Sequence, residues 1–442
     1  MKNFRVKNVV LASILATFVV GCGSGSSDGG TTPPTPTPTP AKIFGTVDSI
    51  SPTNQTITVN GRTLATASAM VTYQQDTLTT DAITKGMQVE ILTANNSAKA
   101  IALDPAITGT VSAIDQDTIT VNGLAFTYPQ AQRSNDITVG SWVMISAKLQ
   151  NDGSWLASSI TSPAGVATQE SEIEGRISQL NEVAQQFNIG TLVVNYSNAE
   201  LDLEGQQLAN GQWVEVEGRY DSQDLTLFAQ EVDIENDMDF NDAEIEGTVT
   251  WVNTEKTLFE IDSRTRILVT PTTQFEDGKL IDLNTGRHIS VDLITKGTGL
   301  EATEIEFEDA SGSIPQPFAR EFTVEGLAQV TNGAFSINGI EFTLDAGTYY
   351  DDGLTVGTLN NTWVEVEGIE VEAATLTPAH WLVKEIEPEL RETNISLEGL
   401  VSNNSLWNYP SSDNSLARFN DKWVEVECQL NGDDLLKCRL DD

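Results

Sequence analysis

The chemically active inventory of this 442-residue chain is 64 Asp and Glu, two His and three Cys, and their spacing limits the chemistry open to them. His288 and His380 are far apart in sequence, and no His-Glu-x-x-His helix motif or phosphate-binding loop occurs. Carboxylate pairs could do acid–base work, but most of the acids here alternate with apolar residues as the outer face of a strand does, so no enzyme is expected. Gly25-Ser26-Ser27-Asp28-Gly29 satisfies the G-x-S-x-G nucleophile pattern, yet it lacks the flanking strand and helix that give the pattern meaning. Asp237, Asp239 and Asn241 alternate as in a calcium loop, but Asp242 stands where the turn needs Gly and Thr248 where a bidentate Glu closes the site. No cofactor is therefore expected, with Ca²⁺ on those three residues the one candidate. Cys428 and Cys438 flank a hairpin at Asn431-Gly432 and are expected to form a disulfide contributing about 2 to 3 kcal/mol.

The remaining cysteine, Cys22, has a different setting. Lys2, Arg5 and Lys7 precede an apolar run from Val9 to Val20, too short to span a bilayer, and Val19-Val20-Gly21-Cys22 looks like a lipobox. Residues 1–21 read as a signal peptide and Cys22 as the lipidated first residue, anchoring the chain to the outer membrane through acyl burial. Residues 22–41, rich in Gly, Ser, Thr and Pro, read as an extended disordered linker.

Loss of the signal leaves 21 Lys and Arg against 64 Asp and Glu, a net charge of −43, so nucleic acid is not an expected partner. The charge is uneven. Residues 41–165 carry 9 acids and 6 bases, whereas residues 166–442 carry 54 and 15.

The elements that position these residues recur. A Gly followed by a strand begins at Gly45, Gly109, Gly175, Gly247, Gly326 and Gly399, steps of 64, 66, 72, 79 and 73. Short alternating strands follow, three ending in hairpin turns at Asn60-Gly61, Asn122-Gly123 and Asn338-Gly339. Later in each copy comes another alternating strand, clearest as Trp213 to Glu217, Trp363 to Glu367 and Trp423 to Glu427, and then a closing apolar strand. Alternation places Val214 and Val216 inward and Glu215, Glu217, Glu365, Glu367, Glu425 and Glu427 outward. Trp142, Trp213, Trp363 and Trp423 begin these strands; a Trp at a strand end is expected first to cover the barrel floor or the next domain, and the four are otherwise the candidate aromatic platform for a flat ligand such as a sugar ring.

Five strands per copy, with a polar or weakly helical stretch between the third and fourth, give an all-β fold class: tandem small five-stranded OB-like β-barrel domains after the signal peptide and linker. The copies read as 42–105, 106–165, 170–236, 243–310, 320–388 and a shortened sixth at 393–442. The G-x-V starts, the T-I-T-V-N-G strands and the G-x-W-V-E-V-E-G strands resemble the bacterial family described as domain of unknown function 5666, found as tandem copies in exported proteins. That resemblance implies no activity. The expected role is a non-enzymatic lipid-anchored envelope protein, a spacer string of barrels or an interaction module, with an envelope protein or polysaccharide as partner; the alternative is a surface binder of polysaccharide or divalent cations through the Trp strands and acidic faces.

Overall fold

The computed structural model describes residues 42–128, 137–149, 155–167, 169–203, 205–235, 240–297, 299–307, 319–331, 333–371 and 379–441. Cys22, Asp237 and Asp239 lie outside the described residues.

In the first copy five strands do the work: Lys42–Ser51, Thr56–Val59, Arg62–Ala65, Gln88–Ala94 and Ser97–Leu103. Consecutive strands pair antiparallel from first to third and from fourth to fifth; the third then lies parallel to the fifth and the fourth antiparallel to the first. The order 1-2-3-5-4-1 closes the sheet on itself, which is the OB-type barrel. Alternation explains why the strands close. Val47, Ile57, Val59, Leu64, Val89, Ile91 and Ile101 are buried and fill one core, a packing available only to strands that point alternate residues inward. A bulge in the first strand between Val47 and Ser49, and one between Leu92 and Thr93, supply the curl that closure needs.

The Asn-Gly hairpins and the Gly starts belong to one device. Asn60 and Gly61 both take positive φ (51° and 67°), as a two-residue turn requires. The turn folds back so that Asn60 lies on Gly45, where a Cβ would sit 1.8 Å from Asn60 Oδ1; Asn122 lies on Gly109 in the same way, at 2.4 Å. Glycine begins these copies because a neighbouring turn occupies the space of a side chain.

The same closed order recurs in copies two to four, with parallel contacts Phe126 to Trp155, Val194 to Leu227 and Ile267 to Leu300 joining third and fifth strands. In copy five Thr343 bridges Leu382 and Tyr349–Tyr350 pairs with Glu385 and Ile386. Copy six departs. Between Asn394–Leu400 and Trp423–Asn431 it has only the two-residue strands Ser405–Leu406 and Tyr409–Pro410, and among the described residues no ladder joins them to the last strand, Asp434–Leu440. Side chains take the place of the missing strand: the amides of Lys437 and Cys438 donate to Asp413 Oδ2 (2.7 Å) and Ser415 Oγ (3.0 Å). The Lys437 amide, then the Ser415 side chain and amide, hold the Asp413 carboxyl far below its usual range. Cys428 and Cys438 are disulfide-bonded across this final hairpin, their Cα atoms 4.1 Å apart.

The barrels do not form a string. First strands pair between barrels: Lys42–Phe44 lies parallel to Ala243–Ile245, Ile107 and Thr108 pair antiparallel with Ile173 and Glu172, and Thr323 and Val324 with Glu398 and Leu397. Copies one and four, two and three, and five and six are thus joined edge to edge. Copy two also lends Trp142 and Met144 to the core of copy one. The sequence period marks the units but carries no trace of which outer face meets which, because those contacts are long-range.

Candidate functional site

The chemistry of the chain is concentrated on one repeated surface, the outer face of the first, fourth and fifth strands of each barrel. Residues opposite one another on these strands form rows. In copy three the rows are Glu172–Glu217–Glu231 and Glu174–Glu215–Asp233. In copy four they are Glu244–Asp292–Glu304 and Glu246–Ser290–Glu306. In copy five they are Thr323–Glu367–Glu385 and Glu325–Glu365–Glu387. The equivalent positions of copy one hold Lys42, Leu92 and Ala100, then Phe44, Glu90 and Ala102. The uneven charge of the chain therefore has a place in the fold: it is a set of carboxylate rows present in the later barrels and missing from the first.

Alternation correctly puts Glu215, Glu217, Glu365 and Glu367 on the outside of their barrels, but the expectation that they face solvent fails. Glu172, Glu215, Glu217, Glu244, Glu367 and Glu385 are all at most 7 % exposed, because neighbouring barrels cover the rows. Glu425 of copy six stays exposed. Burial of like charges has the electrostatic cost that the rows imply. Burial, then Glu367, Glu325 and Glu387, push the Glu365 carboxyl up to about 10. Glu367 rises to about 8, and Glu385 and Glu244 to about 7, with burial the largest cause each time. For Glu244 the Arg62 guanidinium of copy one opposes the rise.

One buried carboxylate goes the other way. Glu260 of copy four is 1 % exposed and receives Lys384 of copy five (2.7 and 2.8 Å), Arg266 of its own barrel (3.3 Å) and Arg176 of copy three (3.4 Å). Burial alone would raise its carboxyl; these three cations more than offset that and hold it at about 2. Three barrels meet on this one side chain.

A cavity of about 100 Å³ lies among copies one to four, lined by Phe44, Trp155, Glu174, Trp213, Phe240 and Arg264 among others. The Arg264 guanidinium stands over Trp213 at 5.0 Å and over Phe240 at 5.4 Å, and pairs with Glu174 (3.4 Å) and Glu235 (3.7 Å). A side chain of the protein itself thus makes the cation–π contacts that a ligand would make.

The four platform tryptophans are not brought together on one open face. Trp142 is 6 % exposed in the core of copy one, where its Nε1 donates to the Glu170 carbonyl (3.0 Å). Trp213, Trp363 and Trp423 are half-buried, each with a guanidinium over the ring: Arg264 at 5.0 Å, Arg391 at 4.9 Å and Arg320 at 5.4 Å. Their shared parity with Glu places them at barrel contacts, which sequence alternation alone could not distinguish from solvent. Of the calcium-loop candidates only Asn241 is described, and its Oδ1 accepts the Thr295 amide (2.9 Å). Glu172, Glu215 and Glu217 bring carboxylate oxygens within 4.8 Å of one another, the spacing a divalent cation would need, but Tyr73 (2.9 Å) and Gln74 (2.7 Å) of copy one already donate to Glu172. His288 pairs with Glu246 across adjacent strands of copy four, and His380 lies in a different barrel.

Sequence reading missed the Glu260 centre. The available signals were slight: an acid inside the otherwise apolar strand Leu258–Ile261, all four residues of which are buried, and a lysine breaking the apolar run at Val383-Lys384.

The closed 1-2-3-5-4-1 order, repeated with variations along the chain, defines a protein built of tandem OB-type barrels. The chain belongs to the family described as Domain of unknown function (DUF5666), whose pattern matches residues 44–101, 108–161, 174–233, 246–306 and 323–377. The five matches are the first five barrels; the shortened sixth lies outside them. Among solved structures the chain is similar to "drosophila Unr CSD456" (10% identity over 50% of this chain and 97% of that one, TM-score 0.13). It is also similar to a Streptococcus pneumoniae multidomain protein with nucleic acid binding domains (12% identity, 47% and 74%, TM-score 0.13). Similarity at that level carries no inference about ligands. No curated protein matches the chain.

Proposed function

We propose that the protein is a non-enzymatic envelope lipoprotein, anchored through Cys22, whose barrels form one interlocked body serving as an interaction module for an envelope protein or polysaccharide. The observation that supports this reading best is the use of the outer faces. First-strand ladders between barrels and the shared Glu260 centre commit those faces to holding the barrels together, which suits a module of fixed shape better than an extensible spacer. Nucleic acid remains outside the proposal on the ground of charge. The polysaccharide-platform alternative gains no support from the four tryptophans, which barrel contacts engage.

Small-angle scattering on residues 42–442 tests the shape. A single body of this length should have a radius of gyration of roughly 21 Å, against about twice that for six barrels in a row. A value near the larger figure would return the spacer reading to first place. The anchor is tested by metabolic labelling with a fatty acid: the wild-type chain should take up label and pellet with membranes, and Cys22→Ser should do neither. Equal labelling of the two would remove the anchor from the proposal.

A further inference from the structure

The carboxyl face of copy five meets copy four without a matching set of bases. Glu365 stands between Glu325 and Glu387 on adjacent strands, and Glu367 beside Glu385. Against this face lies the hairpin turn of copy four at residues 253–257. Its Thr254 amide is 3.2 Å from each oxygen of Glu367, and its Glu255 brings a carboxylate oxygen within 4.8 Å of those of Glu365 and Glu367. We propose that this contact is a proton-dependent latch: copy five closes on the turn of copy four only while the carboxyls of the cluster share protons, and opens as they ionise.

The surrounding charges favour this assignment. From copy four, Arg266, bonded to Glu260 and the Lys384 carbonyl, acts on Glu385 through its charge, whereas Lys256 of the turn itself points its Nζ away, to the Leu283 carbonyl and Asn284. From copy five and the segment leading to copy six, Asp351, Glu389 and Glu392 add negative charge. Lys384 is taken by Glu260, and Arg391 stacks on Trp363. From copy six the Ser396 amide donates to Glu325 (2.9 Å). Among the described residues one guanidinium therefore serves a cluster of six carboxyls, counting Glu255 with the five of copy five. Glu387 and Glu365 stand directly opposite each other on adjacent strands, where a proton shared between them relieves the repulsion of the pair. Because the folded carboxyls titrate above the ordinary value of 4.5, the folded state keeps protons that an unfolded or opened chain has released. Stability of the contact is greatest below that value and is lost progressively as pH rises from there toward about 7 to 10.

The test is thermal melting of the mature protein from pH 5.5 to 9.5, with EDTA to remove cations and 0.5 M salt to screen surface repulsion, alongside scattering at the two ends. Wild type should lose several degrees in Tm as pH rises and should expand at high pH. Glu365→Gln with Glu387→Gln should flatten both responses, whereas Glu425→Gln on the exposed row of copy six should leave them as in wild type. Should the double variant not fold, Glu255→Gln at the exposed tip of the turn carries the test, making the fall smaller because the charge that raises Glu365, Glu367 and Glu387 is gone. A wild-type profile that is flat, or variants at Glu255 and at the pair that follow the wild-type curve, would overturn the latch.

Discussion

Glu260→Gln should cost the protein about 3–5 kcal/mol, the loss expected when one partner of a buried ion cluster is removed and the others are left uncompensated. The substitution keeps the shape of the side chain, so packing is not the cause. It leaves Lys384, Arg266 and Arg176 gathered around a neutral amide in a site from which water is excluded. Those cations cannot turn elsewhere: Arg176 also donates to the carbonyls of Gly211, Ser263 and Arg264, and Arg266 to that of Lys384. Since they come from copies three, four and five, the loss should appear as a lowered transition of all three barrels in calorimetry. The acid dependence changes with it. In the wild type the depressed carboxyl stabilises the fold above its unfolded value of 4.5, and that contribution is lost as pH falls from there toward about 2. The variant should lack this part of the acid limb. A variant within 1 kcal/mol of wild type would show that the three cations find other partners.

Trp142→Ala is expected to cost about 3–5 kcal/mol as well, by removal of a large buried ring and the cavity it leaves. The ring lies with Met144 in the core of copy one, 6.3 Å from the Tyr73 ring, although it belongs to a strand of copy two. Its removal should therefore destabilise copy one and loosen its contact with copy two, seen as an earlier transition in denaturant with a larger fluorescence change at low denaturant. A ligand-platform tryptophan would behave oppositely, leaving stability untouched. An unchanged transition in Trp142→Ala would restore the platform role for this residue.

The fold was legible because its information is local. Asn60, Asn122 and Asn338 adopt the positive φ that their Asn-Gly pairs require, and Val214 and Val216 are wholly buried, as alternation demands. What lay hidden depends on contacts between segments far apart. Glu217 and Glu427 occupy equivalent places in near-identical strings, yet Glu217 is covered by Gln74 of copy one (3.0 Å), while Glu427 remains half-exposed beside Arg439. No pattern inside the strings separates the two. Trp142 shows the same limit: a strand-end Trp is expected to cover its barrel floor or a neighbouring domain, but that it enters the core of copy one is fixed by a long-range contact its own strand does not encode.

The ladder between Lys42–Phe44 and Ala243–Ile245 also dictates an order of assembly. Its partners are separated by about 200 residues, and pairings so distant in sequence form late. A chain emerging from its N-terminus exposes the edge of the first barrel until the fourth has been made, and an open edge is an invitation to pair with another chain. Copies two and three, whose first strands are much nearer in sequence, can join meanwhile. The barrel that emerges first is thus not the barrel completed first, and the dwell time of that open edge, set by the emergence of the intervening copies, is the interval in which mispairing between chains competes with the native ladder.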